Sequence, residues 1–375
     1  MKLKLCGNLK LADELELLLK ACLWTGPTSI EAFKSWNRSV DLENIDSAST
    51  RLFPLLYANL RKQQFEDPRL PMFKGVYRKN WYRQQLLLKE ALPVLKTLQE
   101  LQIPCMLLKG AALQSCFYEG PGLRPMDDLD IVVPEPRMRD AIGVFKSIGW
   151  NPYPCWSEDL LQIKHAQGFL SPNRMAVDLH WHVLNSDIRT GVDNEFWSGA
   201  VPLVLEGVKT LTLNPTDHLL HACAHGENPS GTIAPVRWIA DCMMILKKEG
   251  AAIDWNRFAT LAAKHRLVPA MKDSLNFLSH LFKAPVPPEV LEKLENIPIS
   301  ARQRFSRFFK TSTSGNRFAL AGSTLENYFR YESGFWKARG ISGLTDYLRV
   351  LWNLDSRRQV FSRSLNRTMR HLKRG

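Results

Sequence analysis

Helical and alternating patterns follow one another along this chain. From residue 9 to 98, apolar residues recur at helical spacing: Leu11, Leu15, Leu18 and Leu19, then the runs RLFPLLYANLRKQ and NWYRQQLLLKEALPVLKTLQELQ. Thr28-Ser29-Ile30-Glu31 supplies a hydroxyl-then-acid helix start within that stretch. Pro104 stops the helical run, and CMLL reads as a short buried strand. AALQSCFY then predicts a helix, PGLRPMD a loop, LDIVV a second strand, and PEPRMRDAIGVFKSIGW a helix opened by proline. HAQGFLS and RMAVDLHWHVL alternate apolar and polar residues about Pro172-Asn173, which predicts a hairpin. TLTL, residues 210–213, is one more short strand. Beyond Pro215 the period returns to helical in PTDHLLHACAHG, VRWIADCMMILKKEG and DWNRFATLAAKHRLVPAMKDSLNFLSHLF. PVPPEV is a rigid break, TSTSGN (311–316) reads as a mobile loop, and no repeat of fixed period occurs.

The order of these elements predicts an α+β protein: a small mixed sheet of about four or five strands, helices on one side, and helical regions before and after it. The expected divisions are an N-terminal helical region (1–98), an α/β core (99–213), a helical domain (214–298) and a mostly helical C-terminal region (299–375).

Composition supports a soluble globular reading, with 45% hydrophobic and 23% charged residues among 375. No run approaches the ~20 apolar residues needed to span a bilayer. The basic-then-apolar start is interrupted by Asp13, Glu14 and Glu16, so it reads as an amphipathic helix and not a signal peptide. Seven cysteines without a CxxC pair fit reduced thiols in the cytoplasm. The net charge of +13 is uneven: residues 301–375 carry sixteen Lys/Arg against four acids, so nearly all the excess lies there. Tyr328 to Leu354 also mixes Trp, Tyr, Phe and Arg. Such a region suits helices with solvated arginine faces, or peripheral contact with an anionic membrane surface or acidic partner.

The chemistry concentrates in LLKGAALQSCFYEGPGLRPMDDLDIVV, residues 107–133. On a strand, Asp128 and Asp130 share a face while Asp127 does not. Ile131, Val132 and Val133 follow at once, so Asp130 lies close to a core, where an acid needs a partner or a metal. In MAVDLHWHVL, Asp178, His180 and His182 share a strand face opposite Val177, Leu179 and Trp181. If the two strands are neighbours, Asp178 completes a three-carboxylate set suited to Mg²⁺, with His180 and His182 free to meet phosphate or a substrate hydroxyl. The Lys109-Gly110-Ala111 turn precedes a helix, where backbone N–H groups and a bare glycine let phosphates approach. Lys109 offers a cation there, and Arg124 a forked guanidinium in the loop before the acids. Arg137 reads as an exposed residue of the following helix. His218, His221 and His225 share a helical side, but without HExxH they read as packing near the site and not as a zinc centre.

With LKG, LRPMDDLDIVV, VDLHWHVL, HLLHACAHG and RWIADCMMIL in that order, the chain resembles the uncharacterised nucleotidyltransferase family NTP_transf_5, of the DNA polymerase β-like nucleotidyltransferase superfamily. The resemblance covers roughly residues 10–290. It implies that Gly110 matches the superfamily's glycine turn, Asp128 and Asp130 its acid pair, and Asp178 its third acid. It further implies two Mg²⁺ ions, a nucleoside triphosphate donor, and in-line attack of an acceptor on the α-phosphorus with release of pyrophosphate. The usual Gly-Ser turn is Gly110-Ala111 here, so Lys109 and Arg124 stand in for the missing hydroxyl.

The expected activity is Mg²⁺-dependent nucleotidyl transfer from an NTP, such as ATP, to a hydroxyl or phosphate of a small-molecule, saccharide or peptide acceptor. No nucleic-acid module is recognisable, so nucleic acid is not the expected acceptor. The alternatives are a transferase using a nucleotide-sugar donor and a non-catalytic nucleotide-binding scaffold.

Overall fold

The computed structural model describes residues 3–6, 9–153, 158–161, 163–226, 236–301, 303–304, 328 and 340–372. TSTSGN and much of the basic region 299–375 lie outside the described residues.

A two-stranded antiparallel hairpin, β1 (Leu3–Cys6) and β2 (Leu9–Ala12), leads into α1 (Asp13–Leu23), α2 (Pro27–Ser39), α3 (Ser47–Thr50) and α4 (Phe53–Lys62). The hairpin departs from the helical reading of residue 9 onward. Its Lys–Leu alternation is too short to distinguish from a helix entry by period alone. Pro27 opens α2 with its φ preset, and Asp46 caps α3 by accepting from the Ala48 and Ser49 N–H groups. The long helix α5 (Leu70–Glu100) then crosses the molecule.

The α/β portion runs β3 (Met106–Leu108), α6 (Lys109–Phe117), β4 (Asp128–Val132), α7 (Met138–Ser147), β5 (Asn151–Tyr153), α8 (Glu158–Leu161), β6 (Ala166–Leu170), β7 (Ala176–His180), α9 (Asn194–Ser198), β8 (Val201–Leu205) and β9 (Val208–Thr212). Seven strands pair in the order β5-β6-β7-β4-β3-β9-β8. The sheet is mixed: β4 runs parallel to β7 and antiparallel to β3, which in turn is parallel to β9. β6 and β7 form the antiparallel hairpin about Pro172-Asn173. Two strands exceed the expected four or five, and they are the edges β5 and β8. Each contains a proline, Pro152 or Pro202, which weakens the strand pattern and suits only an edge.

Helices cover both faces and not one. Leu107, Leu129, Ile131, Val133, Val177 and Leu179 pack with Leu87–Leu98 of α5 and Phe145 of α7 in one core. From the other face, Met106, Leu108 and Val132 enter a larger core. That core joins Leu18, Phe33, Trp36 and Phe73 of the N-terminal helices to the helices after the sheet. These are α10 (Pro215–Gly226), α11 (Arg237–Glu249), α12 (Trp255–Lys264), α13 (Val268–Phe282) and α14 (Pro288–Asn296). Two more helices, Gly340–Leu351 and Arg357–Leu372, follow. The protein is thus α+β, a mixed sheet flanked by N-terminal and C-terminal helices. No helix among the described residues is long and apolar enough to cross a membrane.

Candidate active site

Strand alternation puts Asp128, Asp130 and Val132 on the face opposite Leu129 and Ile131. Parallel pairing then sets Asp130 directly beside Asp178, and Val132 beside His180. A ligand atom from each of Asp130, Asp178 and His180 lies within 4.8 Å of the others. Asp128 stands one pleat away on the same face.

Small residues make the room. Gly168 on β6 is registered opposite Asp178, and a Cβ there would come 3.1 Å from Asp178 Oδ1 and 2.7 Å from the Tyr153 carbonyl oxygen. Only hydrogen fits between that edge backbone and the carboxylate. Gly110, in the first turn of α6, would drive a Cβ to 2.9 Å from Met126 Cβ.

β3 delivers Lys109 to the acids, because Leu108 is registered with Asp130 and α6 starts at the next residue. Lys109 takes a left-handed φ of 44°, an uncommon state for a residue with a Cβ. Its Nζ donates to Asp130 Oδ1 at 2.6 Å, and His180 Nε2 lies 3.0 Å from the same oxygen. His180 Nδ1 is buried and has no hydrogen-bond partner among the described residues. No side chain caps the first N–H groups of α6, which include those of Gly110 and Ala111.

The electrostatics divide the three acids. Burial opposes ionisation of Asp130, but the Lys109 charge and the His180 hydrogen bond outweigh it, and its carboxyl is held far below the usual range. Asp128 is pushed up to about 6 by burial and by the charges of Asp130 and Asp178. Asp178 is raised by burial and by Asp130. For Lys109, burial favours loss of the proton, yet Asp130, Asp128 and Asp178 hold it on and raise its pKa. Lys109 pairs directly with Asp130 alone, and its charge and that of Arg237 do not offset what burial and the neighbouring acids do to Asp128. A divalent cation fits that deficit: the donors are hard carboxylate oxygens with one imidazole, and the Nδ1 atom of that imidazole is buried without a partner.

Most of the other expected residues are engaged by partners of their own, although Arg124 Nη1 stands 3.5 Å from where a Cβ on Gly110 would lie. Arg124 is buried, with Nε and Nη2 on the Asp241 carboxylate at 2.7 and 2.9 Å, and Tyr118 donates to the same group at 2.7 Å. His182, just past the end of β7, pairs through Nδ1 with Asp193 at 2.7 Å. Arg137 pairs with Asp140 at the surface. On α10, His218 bonds Thr212 Oγ1 through Nε2, while burial is the main cause lowering the pKa values of His221 and His225, with the Lys109 charge adding to it.

Sequence reasoning missed several neighbours. His165 has its ring 5.4 Å from that of His180, and burial chiefly, then the His180 and Lys109 charges, pushes its pKa well down. It stands one residue before β6 and no motif marks it. Gly168 was hidden inside an ordinary alternating run. Arg51, on Asp127, comes from a helical region with no recognisable link to the acids. Asp241, the partner of Arg124, lies 117 residues later on α11, where no motif marks it as that partner.

The mixed sheet thus carries acid-x-acid on one strand and a third acid on its parallel neighbour. The chain belongs to the family described as uncharacterised nucleotidyltransferase, NTP_transf_5, whose model matches residues 47–303. Among solved structures, an antigenic nucleotidyltransferase-like protein from Paracoccidioides brasiliensis is similar at 13% identity. It covers 56% of this chain and 94% of its own, with a TM-score of 0.33. No curated protein matches the chain.

Proposed function

We propose that this protein is a Mg²⁺-dependent nucleotidyltransferase that moves a nucleotidyl group from an NTP to a hydroxyl or phosphate of a small-molecule, saccharide or peptide acceptor. The observation that carries this reading is the juxtaposition of Asp130 and Asp178 across paired parallel strands, with Asp128 on the same face. Family membership supports the reaction class. Asp128, Asp130 and Asp178 would hold the metal, with His180 at their edge. When bound, Mg²⁺ would neutralise triphosphate charge and polarise the reacting oxygens. In the transfer, an acceptor oxygen bonds to the α-phosphorus as the bond to the β-phosphate oxygen breaks, and pyrophosphate leaves.

Lys109, Gly110 and Ala111 form the edge of the site nearest Asp130. The uncapped N–H groups of α6 suit a phosphate. A non-catalytic nucleotide-binding scaffold is the reading favoured by a different observation: the Lys109–Asp130 ion pair can hold the acid in place with an ammonium alone.

Calorimetric titration with ATP, CTP, GTP and UTP, with and without Mg²⁺, separates these readings on wild type and Asp130→Asn. Binding that requires both Mg²⁺ and Asp130 is expected, and the preferred base identifies the donor. Tight NTP binding indifferent to Mg²⁺ and to Asp130 would favour the scaffold. Failure of all four nucleotides would move the reading to a nucleotide-sugar donor.

A further inference from the structure

The two cations that the sequence offers for phosphate are both committed, Lys109 to Asp130 and Arg124 to Asp241. Three other guanidiniums gather on the loop that enters β4. Arg51 and Arg83 both reach Asp127, the residue before Asp128. Arg237, the first residue of α11, donates to the Pro125 carbonyl at 2.7 Å and has no carboxylate partner among the described residues. Arg51 Nη1 is buried and lacks a hydrogen-bond partner among the described residues. Arg51 and Arg83 thus share one carboxylate, and Arg237 is paired directly with none among the described residues.

Such crowding opposes itself. The pKa of Arg237 is lowered to about 10, chiefly by burial and then by the Arg124 and Arg51 charges. The charge deficit of the acids has a mirror image one loop away. Asp128 and Asp178 call for a cation, and Arg51 and Arg237 call for an anion. A metal-bound polyphosphate carries both charges in one ligand.

We propose that Arg51 and Arg237, with Arg83 at the rim, form the subsite that binds the β- and γ-phosphates of the donor. This subsite rests on the nucleotidyltransferase reading given above. Forked guanidiniums are suited to multidentate contact with phosphate oxygens. The assignment also brings the N-terminal helices and α11 into donor binding, since neither arginine belongs to the sheet.

The test uses the full chain and two probes, inorganic triphosphate and the four NTPs with Mg²⁺, titrated calorimetrically into wild type, Arg51→Gln, Arg237→Gln, Arg237→Lys and Asp130→Asn. Mn²⁺ binding is followed in parallel by electron paramagnetic resonance. Each glutamine variant is expected to weaken triphosphate and NTP binding about tenfold or more with Mn²⁺ affinity unchanged, and Arg237→Lys to restore part of the loss. A charge contact of this kind also weakens with salt, so the salt slope is expected to fall in the glutamine variants. Should Arg237→Gln fail to fold, Arg51→Gln decides alone, because its side chain is one-third exposed at 34%. Wild-type phosphate affinity in Arg51→Gln, with Mn²⁺ lost in Asp130→Asn, would overturn the subsite while leaving the enzyme reading intact. Absence of both Mn²⁺ and phosphate binding in the wild type would overturn the enzyme reading and the subsite together.

Discussion

Two buried charge clusters lie close together in this molecule, and they are built on different terms. In one, Arg124 and Asp241 neutralise each other through two parallel hydrogen bonds, with Tyr118 satisfying the carboxylate further. In the other, Lys109 and His180 satisfy Asp130, but Asp128 and Asp178 are left to repel it and one another. The first cluster closes its charge and fixes a loop. The second gathers more carboxylates than the one ammonium beside them offsets, so a proton or a cationic ligand is favoured there. Burial is common to both clusters; the charge sum is what separates them, and it is the unbalanced one that supports the proposed site.

The contrast can be broken most forcefully at Asp130. Asp130→Asn is expected to lower nucleotidyl transfer by about a thousandfold or more, as loss of a central electrostatic group does. The folded circular-dichroism spectrum should persist, and transfer assays on the purified variant check the outcome. Full activity would remove Asp130 from the site. At the balanced cluster the effect should appear in stability. Asp241→Asn leaves the buried Arg124 guanidinium uncompensated and is expected to cost about 3–5 kcal/mol in urea unfolding.

Gly168→Ala sharpens the comparison by steric means. The added methyl meets the Tyr153 carbonyl and the Asp178 carboxylate, so a loss of about 1–3 kcal/mol is expected, with a fall in transfer activity. A variant with wild-type activity and melting temperature would show that the strand edge yields instead. The smallest effect is in the pH dependence. Asp128 has a folded pKa of about 6 against an ordinary 3.8, so the folded state holds more protons between those values. Stability therefore falls as pH rises through that window and stays lower above it. Asp128→Asn is expected to raise the metal-free melting temperature by roughly 2–4 °C at pH 8. At pH 3, below both values, no change is expected. Differential scanning calorimetry across pH measures both.

Much of this arrangement was legible in the chain because strand alternation is strict. Once LDIVV and MAVDLHWHVL are strands, the shared faces of Asp128 with Asp130 and of Asp178 with His180 follow. Their adjacency does not follow from period; it depends on β4 pairing parallel with β7, a long-range choice. His182 shows where alternation stops: β7 ends at His180, and the chain turns so that His182 meets Asp193. Arg124 shows a different limit. Its place before the acids was readable, but the competing carboxylate sits 117 residues later. The edge strands escaped notice because proline and exposure erase the pattern that marks interior strands.

One feature of the fold constrains how a ligand would reach the acids. α5 is a single helix of 31 residues whose start, at Leu70 and Phe73, is embedded in the larger core and whose later part, from Leu87 to Leu98, lies under the sheet. A shared rod of this kind ties the two cores together like a keel. Opening the protein as a clam shell would have to bend or uproot that helix. Access to the proposed site would therefore be left to local rearrangement of loops and side chains, among them Lys109, already held in an uncommon backbone state beside Asp130.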